Sequence, residues 1–260
     1  MSGADDLALL TDAARAAGEI ALRYWKNAPE SWEKPGGAGP VTEADLAVNA
    51  MLAADLRAAR PDYGWLSEET PDTAARLDCD KVFIIDPIDG TRAFMEGAPD
   101  FAHSLAIAER GQITAAVVYL PAQNSLYSAS IDTVSTLNGA VISCSSAQVV
   151  QDATVLTARP NLAPEHWQDG TPPAVRRMFR SSLAWRLCLV AEGAFDAMLT
   201  LRPSWEWDVA AGALIATRAG ATVIDRHAGA IGFNTKSVLA NGVIAGPDKI
   251  CRALQAQLRG

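Results

Sequence analysis

The sequence predicts an α/β protein in two halves. Residues 1–135 form an α+β half, a helix pair over a largely antiparallel sheet, and residues 136–260 form an α/β half. Three observations carry this. Two amphipathic stretches open the chain, strand-length apolar runs joined by short turns follow, and beyond about Ser130 such runs alternate with helical spacing. The boundary falls near residues 130–139, and no internal repeat or low-complexity tract is present.

From residue 5 to about 27, Leu10, Ala14, Ala17, Ala21 and Tyr24 recur at three-and-four spacing, which gives one apolar helix stripe, ended before Pro29. Residues 31–40, with Gly36, Gly37, Gly39 and two prolines, predict a flexible loop. A second helix starts at Thr42 and stops at Pro61, with Val48, Leu52 and Leu56 on one face. The wholly apolar run 82–85 predicts a strand buried on both faces whose carboxyl end delivers Asp86. Residues 103–109 and 113–120 are strands joined by Arg110-Gly111-Gln112, and 126–129 adds another. Beyond them come a strand at 154–157, helical turns between 164 and 178 broken at Pro172-Pro173, a helix at 182–192 and a strand at 195–199. A helix at 208–219 closed by Gly220, strands at 222–225 and 238–245, and a last helix from Pro247 complete the chain.

With 49% hydrophobic and 20% charged residues the composition is that of an ordinary globular protein with a large core. No apolar run approaches the roughly 18 to 20 residues of a membrane span, and the first six residues have no basic start leading into an apolar core. A cytoplasmic protein is therefore expected. Cys79, Cys144, Cys188 and Cys251 form no CxxC pair and have no His at ligand spacing, which argues against a zinc site or disulfide framework and predicts reduced thiols. A net charge of −8 disfavours a nucleic acid polymer as partner. An anionic small molecule stays possible where metal ions reverse the local field.

The stretch "FIIDPIDGT" (83–91) ends an apolar run with two aspartates three residues apart. Hard cations such as Mg²⁺ take oxygen ligands, keep some waters and are held by a few carboxylates plus a substrate phosphate. Asp86 and Asp89 point the same way if Pro87 and Ile88 turn the chain. Ile88 can offer its carbonyl, and Gly90 lets backbone N–H groups approach an oxyanion. If residues 91–95 begin a helix, its N-terminus faces the phosphate. The same residue types also make a plain surface turn. Asp45 closes a Thr42-Glu43-Ala44-Asp45 capping pattern, Glu68 and Glu69 in "LSEET" read as a solvated loop, and Asp208 in "WEWDVAAG" reads as an N-cap. All these acids sit where loops meet elements.

Taken in order, "PVTEAD" (40–45), "LSEE" (66–69), "DPIDGT" (86–91) and "WDVAAG" (207–212) resemble the inositol monophosphatase superfamily of Mg²⁺-dependent, lithium-sensitive phosphatases. The resemblance implies a layered α-β-α-β-α sandwich of the inositol monophosphatase/fructose bisphosphatase type, with the metal site between its halves. It implies that Glu68, Asp86 and the Ile88 carbonyl bind a first metal and that Asp86, Asp89 and Asp208 bind a second, with two or three Mg²⁺ per site. Thr91 and Asp45 would orient and help deprotonate the attacking water, and the Gly90 and Thr91 amides would hold the phosphate. Metal-assisted in-line hydrolysis needs no covalent nucleophile and no histidine. His103, His166 and His227 lie outside the motifs and read as structural or surface residues. Homodimers are common in the superfamily.

Within it, "LSEE", Arg92 directly after the "DGT", and "SSLAWRLCLVAEG" (181–193) are similar to the 3′(2′),5′-bisphosphate nucleotidases of the CysQ type. That branch implies 3′-phosphoadenosine 5′-phosphate as substrate, hydrolysed to AMP and phosphate. Arg186 falls where those enzymes carry a lysine and would meet the second phosphate or the nucleotide; by residue type alone it is a solvated helix charge. The chain departs from the branch at Arg180, in the extra residues between Ser181 and Arg186, and in "SIDTVSTLNG" (130–139). Inositol 1-phosphate, histidinol phosphate and fructose 1,6-bisphosphate are the alternative substrates. A non-catalytic regulatory protein of the same fold is the alternative of another class, set behind the enzyme because every motif residue is present. Trp205 and Trp207 read as buried core aromatics.

Overall fold

The computed structural model describes residues 3–37 and 39–259. Helix α1 (Gly3–Tyr24) buries Leu10, Ala14, Ala17 and Ala21, the stripe the spacing predicts. Helix α2 (Glu43–Ala59) buries Val48, Leu52 and Leu56 and is capped by Thr42. Between them the predicted loop is instead a hairpin: β1 (Ser31–Glu33) pairs antiparallel with β2 (Pro40–Thr42). Its strands are three residues each and their connection is glycine-rich, so no alternation was available to reveal them.

A seven-stranded sheet follows in chain order: β3 (Gly64–Ser67), β4 (Lys81–Asp89), β5 (Ala102–Glu109), β6 (Gln112–Leu120), β7 (Ser125–Ser130), β8 (Thr136–Leu137) and β9 (Ala140–Val141). Only the β3–β4 pair is parallel. The pleat sends Phe83 and Ile85 of β4 toward α1 and α2, and Val82 and Ile84 to the opposite face. Both faces being covered explains why the run is apolar throughout. Helix α3 (Thr91–Met95) leaves the end of β4.

The second sheet has the order β11-β10-β12-β16-β14, built from β10 (Thr154–Thr157), β11 (Arg176–Met178), β12 (Ala197–Thr200), β14 (Thr222–Ile224) and β16 (Val243–Gly246). The expected helical turns between 164 and 178 are short 3₁₀ turns that give way to β11. The predicted strand 238–245 is two strands, divided at Asn241-Gly242: β15 (Leu239–Ala240) pairs with β13 (Ser204–Trp205), outside the second sheet, while β16 stays within it.

Helices α4 (Leu183–Ala191) and α5 (Glu206–Arg218) lie between the sheets, and α6 (Asp248–Ala256) covers the outer face of the second. The order is α1/α2, first sheet, α4/α5, second sheet, α6, the expected five-layer sandwich. All nine residues of α4 are buried, as a helix enclosed on both sides requires. No helix among the described residues is long and apolar enough to cross a membrane.

Candidate active site

The site grows from the end of β4. Ladder pairs run from Asp86↔Ser104 to Asp89↔Ala102, so three steps on β4 meet two on β5 and the chain bulges at Pro87-Ile88. Pro87, lacking an N–H, breaks no ladder bond there. The Ile88 amide donates to Asp86 Oδ1 at 3.0 Å, and buried His103 donates from Nδ1 to the Pro87 carbonyl. Burial lowers the His103 pKa to about 4, so the ring is neutral and its role structural, as expected. Gly90 has φ +100°, and a Cβ there would meet the Asp100 carbonyl oxygen at 2.9 Å, so glycine is required.

This geometry brings Asp86 to Glu68, just past β3, and Asp208, in the first turn of α5. One oxygen from each lies within 4.8 Å of the others. Asp208 is not an N-cap, because α5 begins at Glu206. Burial, then the charges of Glu68, Asp89 and Asp208, pushes Asp86 well above the usual carboxylate range. Burial, then Asp89 and Glu68, does the same for Asp208. Three crowded hard-oxygen donors that resist ionisation alone fit a divalent cation, which would relieve the repulsion. Asp89 stands outside this trio: its Oδ2 accepts from Ser182 Oγ at 2.7 Å and from the Ala184 amide at 2.6 Å, tying β4 to the start of α4.

Asp45 closes the cap and also contacts Thr91. Its Oδ2 accepts from the Thr42 amide (2.9 Å) and Thr42 Oγ1 (2.6 Å), closing the capping box. Its Oδ1 lies 3.3 Å from Thr91 Oγ1, which also reaches the Ile88 carbonyl at 3.1 Å. Burial, outweighing the Thr42 hydrogen bonds, raises Asp45 to about 7. Such a group can take or return a proton near neutral pH. Thr91→Ala is expected to lower kcat about 100-fold with Mg²⁺ affinity little changed, as read by Mg²⁺ titration of activity; the reverse pattern would make Thr91 a metal-positioning residue.

Lys34, in the hairpin, went unnoticed in the sequence. Its Nζ lies 2.6 Å from Glu68 Oε1 and 2.7 Å from Glu69 Oε1. Burial opposes the ammonium, but the two glutamates outweigh it and hold the pKa at about 12. The available signal was that Lys34 is the one basic residue in the glycine-rich segment. Glu69 is 5% exposed, so "LSEET" is not a solvated loop.

Arg186 is not a solvated helix charge. It is 8% exposed, donates from Nε to the Arg180 carbonyl (2.6 Å) and from Nη2 to the Ser181 carbonyl (3.4 Å), and lies over the Phe179 ring at 4.4 Å. Burial lowers its pKa to about 10 against the pull of Asp89 and Asp208. Trp207 is buried, but Trp205 is 40% exposed and stacks on it at 4.9 Å, so only one of the pair is a core aromatic.

Carboxylates converging between two sheets, beside an Asp–Thr pair that can move a proton, define a phosphatase class of layered α/β proteins. The inositol monophosphatase family matches residues 5–259, and the chain belongs to that family. It is 32% identical over 234 residues to an inositol-1-monophosphatase of Rhizobium meliloti, covering 85% of this chain and 83% of that one. It is 30% identical over 259 residues to the Nus factor SuhB of Escherichia coli K12, covering 95% and 93%. Among solved structures, the extragenic suppressor protein suhB of Bartonella henselae superposes with a TM-score of 0.82 at 26% identity over 97% of each chain. An IMPase of Thermotoga maritima does so at 0.81 and 26%, over 97% and 96%.

Proposed function

We propose that the protein is a Mg²⁺-dependent phosphomonoester hydrolase that removes the 3′-phosphate of 3′-phosphoadenosine 5′-phosphate, giving AMP. The observation that carries this choice is Arg186, a guanidinium enclosed in the middle layer within electrostatic reach of Asp89 and Asp208. A cation held there at the cost of burial suits a substrate with a second anion.

Glu68, Asp86 and Asp208 would hold Mg²⁺, with Asp89 and the Ile88 carbonyl as further oxygen donors. When bound, Mg²⁺ supplies Lewis-acid stabilisation of phosphate charge and eases deprotonation of water. The chain's own residues do the rest. Asp45 accepts a proton, with Thr91 Oγ1 beside it to orient the donor. The Gly90 and Thr91 amides open α3 and would donate to the phosphate oxygens. The four cysteines, all unpaired, suit a reducing cytoplasm.

A second reading, an inositol-1-phosphate phosphatase, is favoured by the name of the Rhizobium relative. Comparing kcat/KM for 3′-phosphoadenosine 5′-phosphate, inositol 1-phosphate and histidinol phosphate separates the readings. At least about a tenfold preference for the nucleotide, worth roughly 1.4 kcal/mol, is expected. A preference for inositol 1-phosphate would replace the first reading with the second.

A further inference from the structure

Strands β10, β11 and β12 are mutually parallel neighbours, so the segments leaving their carboxyl ends gather at one sheet edge. Those segments carry Arg159, Arg180 and Arg202. The segment after β11 continues to Ser182, which bonds Asp89, so this edge borders the acidic site.

Arg202 differs from the other charges there. It is exposed, and among the described residues its side chain forms no hydrogen bond or ion pair. It is near enough to Asp208 and to Arg186 for its charge to act on both. Arg186 has committed Nε and Nη2 to main-chain carbonyls, which leaves Nη1. Neither guanidinium has a carboxylate within ion-pair distance among the described residues, so both keep donors free for an anion, although Asp89 and Asp208 attract Arg186 from farther away. Three residues beyond Arg202, Trp205 offers an open indole face, stacked from behind by Trp207 and suited to a nucleobase.

We propose that Arg202, together with Nη1 of Arg186, binds the phosphate that is not hydrolysed, and so sets a preference for bisphosphorylated nucleotides. This rests on the nucleotidase reading. AMP, the product, keeps that phosphate, and its binding to the full chain can be followed by calorimetry without turnover. Arg202→Ala is expected to weaken AMP about tenfold and leave adenosine unchanged. It should raise KM for 3′-phosphoadenosine 5′-phosphate by a similar factor, with kcat and the KM for 3′-AMP little altered. Arg202→Lys should recover part of the loss. An AMP affinity within about twofold of wild type, or equal losses for AMP and adenosine, overturns the assignment. If wild type prefers inositol 1-phosphate, the nucleotidase reading has failed separately. Arg202→Ala is then compared on inositol 1-phosphate and inositol 1,4-bisphosphate: a selective loss on the bisphosphate keeps Arg202 as the second-anion site, and equal losses remove it.

Discussion

Asp86→Asn is expected to lower phosphate release by about 10³-fold or more and, in the metal-free protein, to raise the thermal midpoint. Asp86 is 1% exposed, and its carboxylate shares a 4.8 Å group with Glu68 and Asp208. Asparagine keeps the oxygen that accepts from the Ile88 amide, so the bulge that shapes the site survives. It removes one of the charges that crowd the pocket, which relieves like-charge repulsion when no cation is present. It also removes the anionic donor at the centre of the trio, and with it the affinity for a hard divalent ion. Phosphate assays and melting curves with chelator check both halves. Near-normal turnover would place the chemistry elsewhere, and a lowered midpoint would show that the pocket does not store repulsion.

The metal-free protein is expected to lose stability as pH rises from about 4 to about 7. Asp45 has a folded pKa of about 7, above the usual carboxylate value of about 3.9. Between those values the native state holds a proton that the unfolded chain has released. Raising pH therefore favours unfolding: the contribution is fully present below about 4 and is lost on the way to 7. Asp86, Asp89 and Asp208 are shifted upward too and add in the same direction. Asp72 is shifted downward by the Arg76 hydrogen bond, and Asp196 by Thr154 and Ser145 hydrogen bonds that outweigh its burial; both oppose the trend at the acidic end. Buried His103, at about 4 against the usual 6.5, opposes it between those values, but the upward-shifted acids, Glu69 and Glu192 among them, outnumber it. Lys34, at about 12, does not titrate in this window. Mg²⁺ binds the native state and should restore the midpoint by a margin that grows with pH. Melting curves from pH 5 to 8, with chelator and with millimolar Mg²⁺, measure both. A flat or rising midpoint in chelator would contradict the buried-acid description.

Much of the metal pocket could be read from local pattern, because each acid sits at the end of an element with its own signature. β4 announces itself as an apolar run and delivers Asp86 and Asp89; α2 announces itself by its cap and delivers Asp45. The first turn of α5 delivers Asp208, although its start was placed two residues late. What escaped depends on neighbours distant in sequence. Lys34 acquires meaning only when a hairpin of two three-residue strands carries it 34 residues back onto Glu68. β3 is four residues long and runs directly into polar "EET", so its pairing with β4 left no periodicity to detect. Arg186 looks like any helix arginine until α4 is seen enclosed by both sheets. Trp205 and Trp207 share a motif yet differ in exposure, because Trp205 precedes the helix and Trp207 enters it.

Phosphate release from 3′-phosphoadenosine 5′-phosphate by the wild-type protein, first in chelator and then with Mg²⁺ restored, tests the metal-dependent phosphatase most directly. Background release in chelator that rises at least about 10³-fold on adding Mg²⁺ is expected. Release that persists unchanged in chelator, or none from this or any other phosphomonoester once Mg²⁺ is restored, would contradict it.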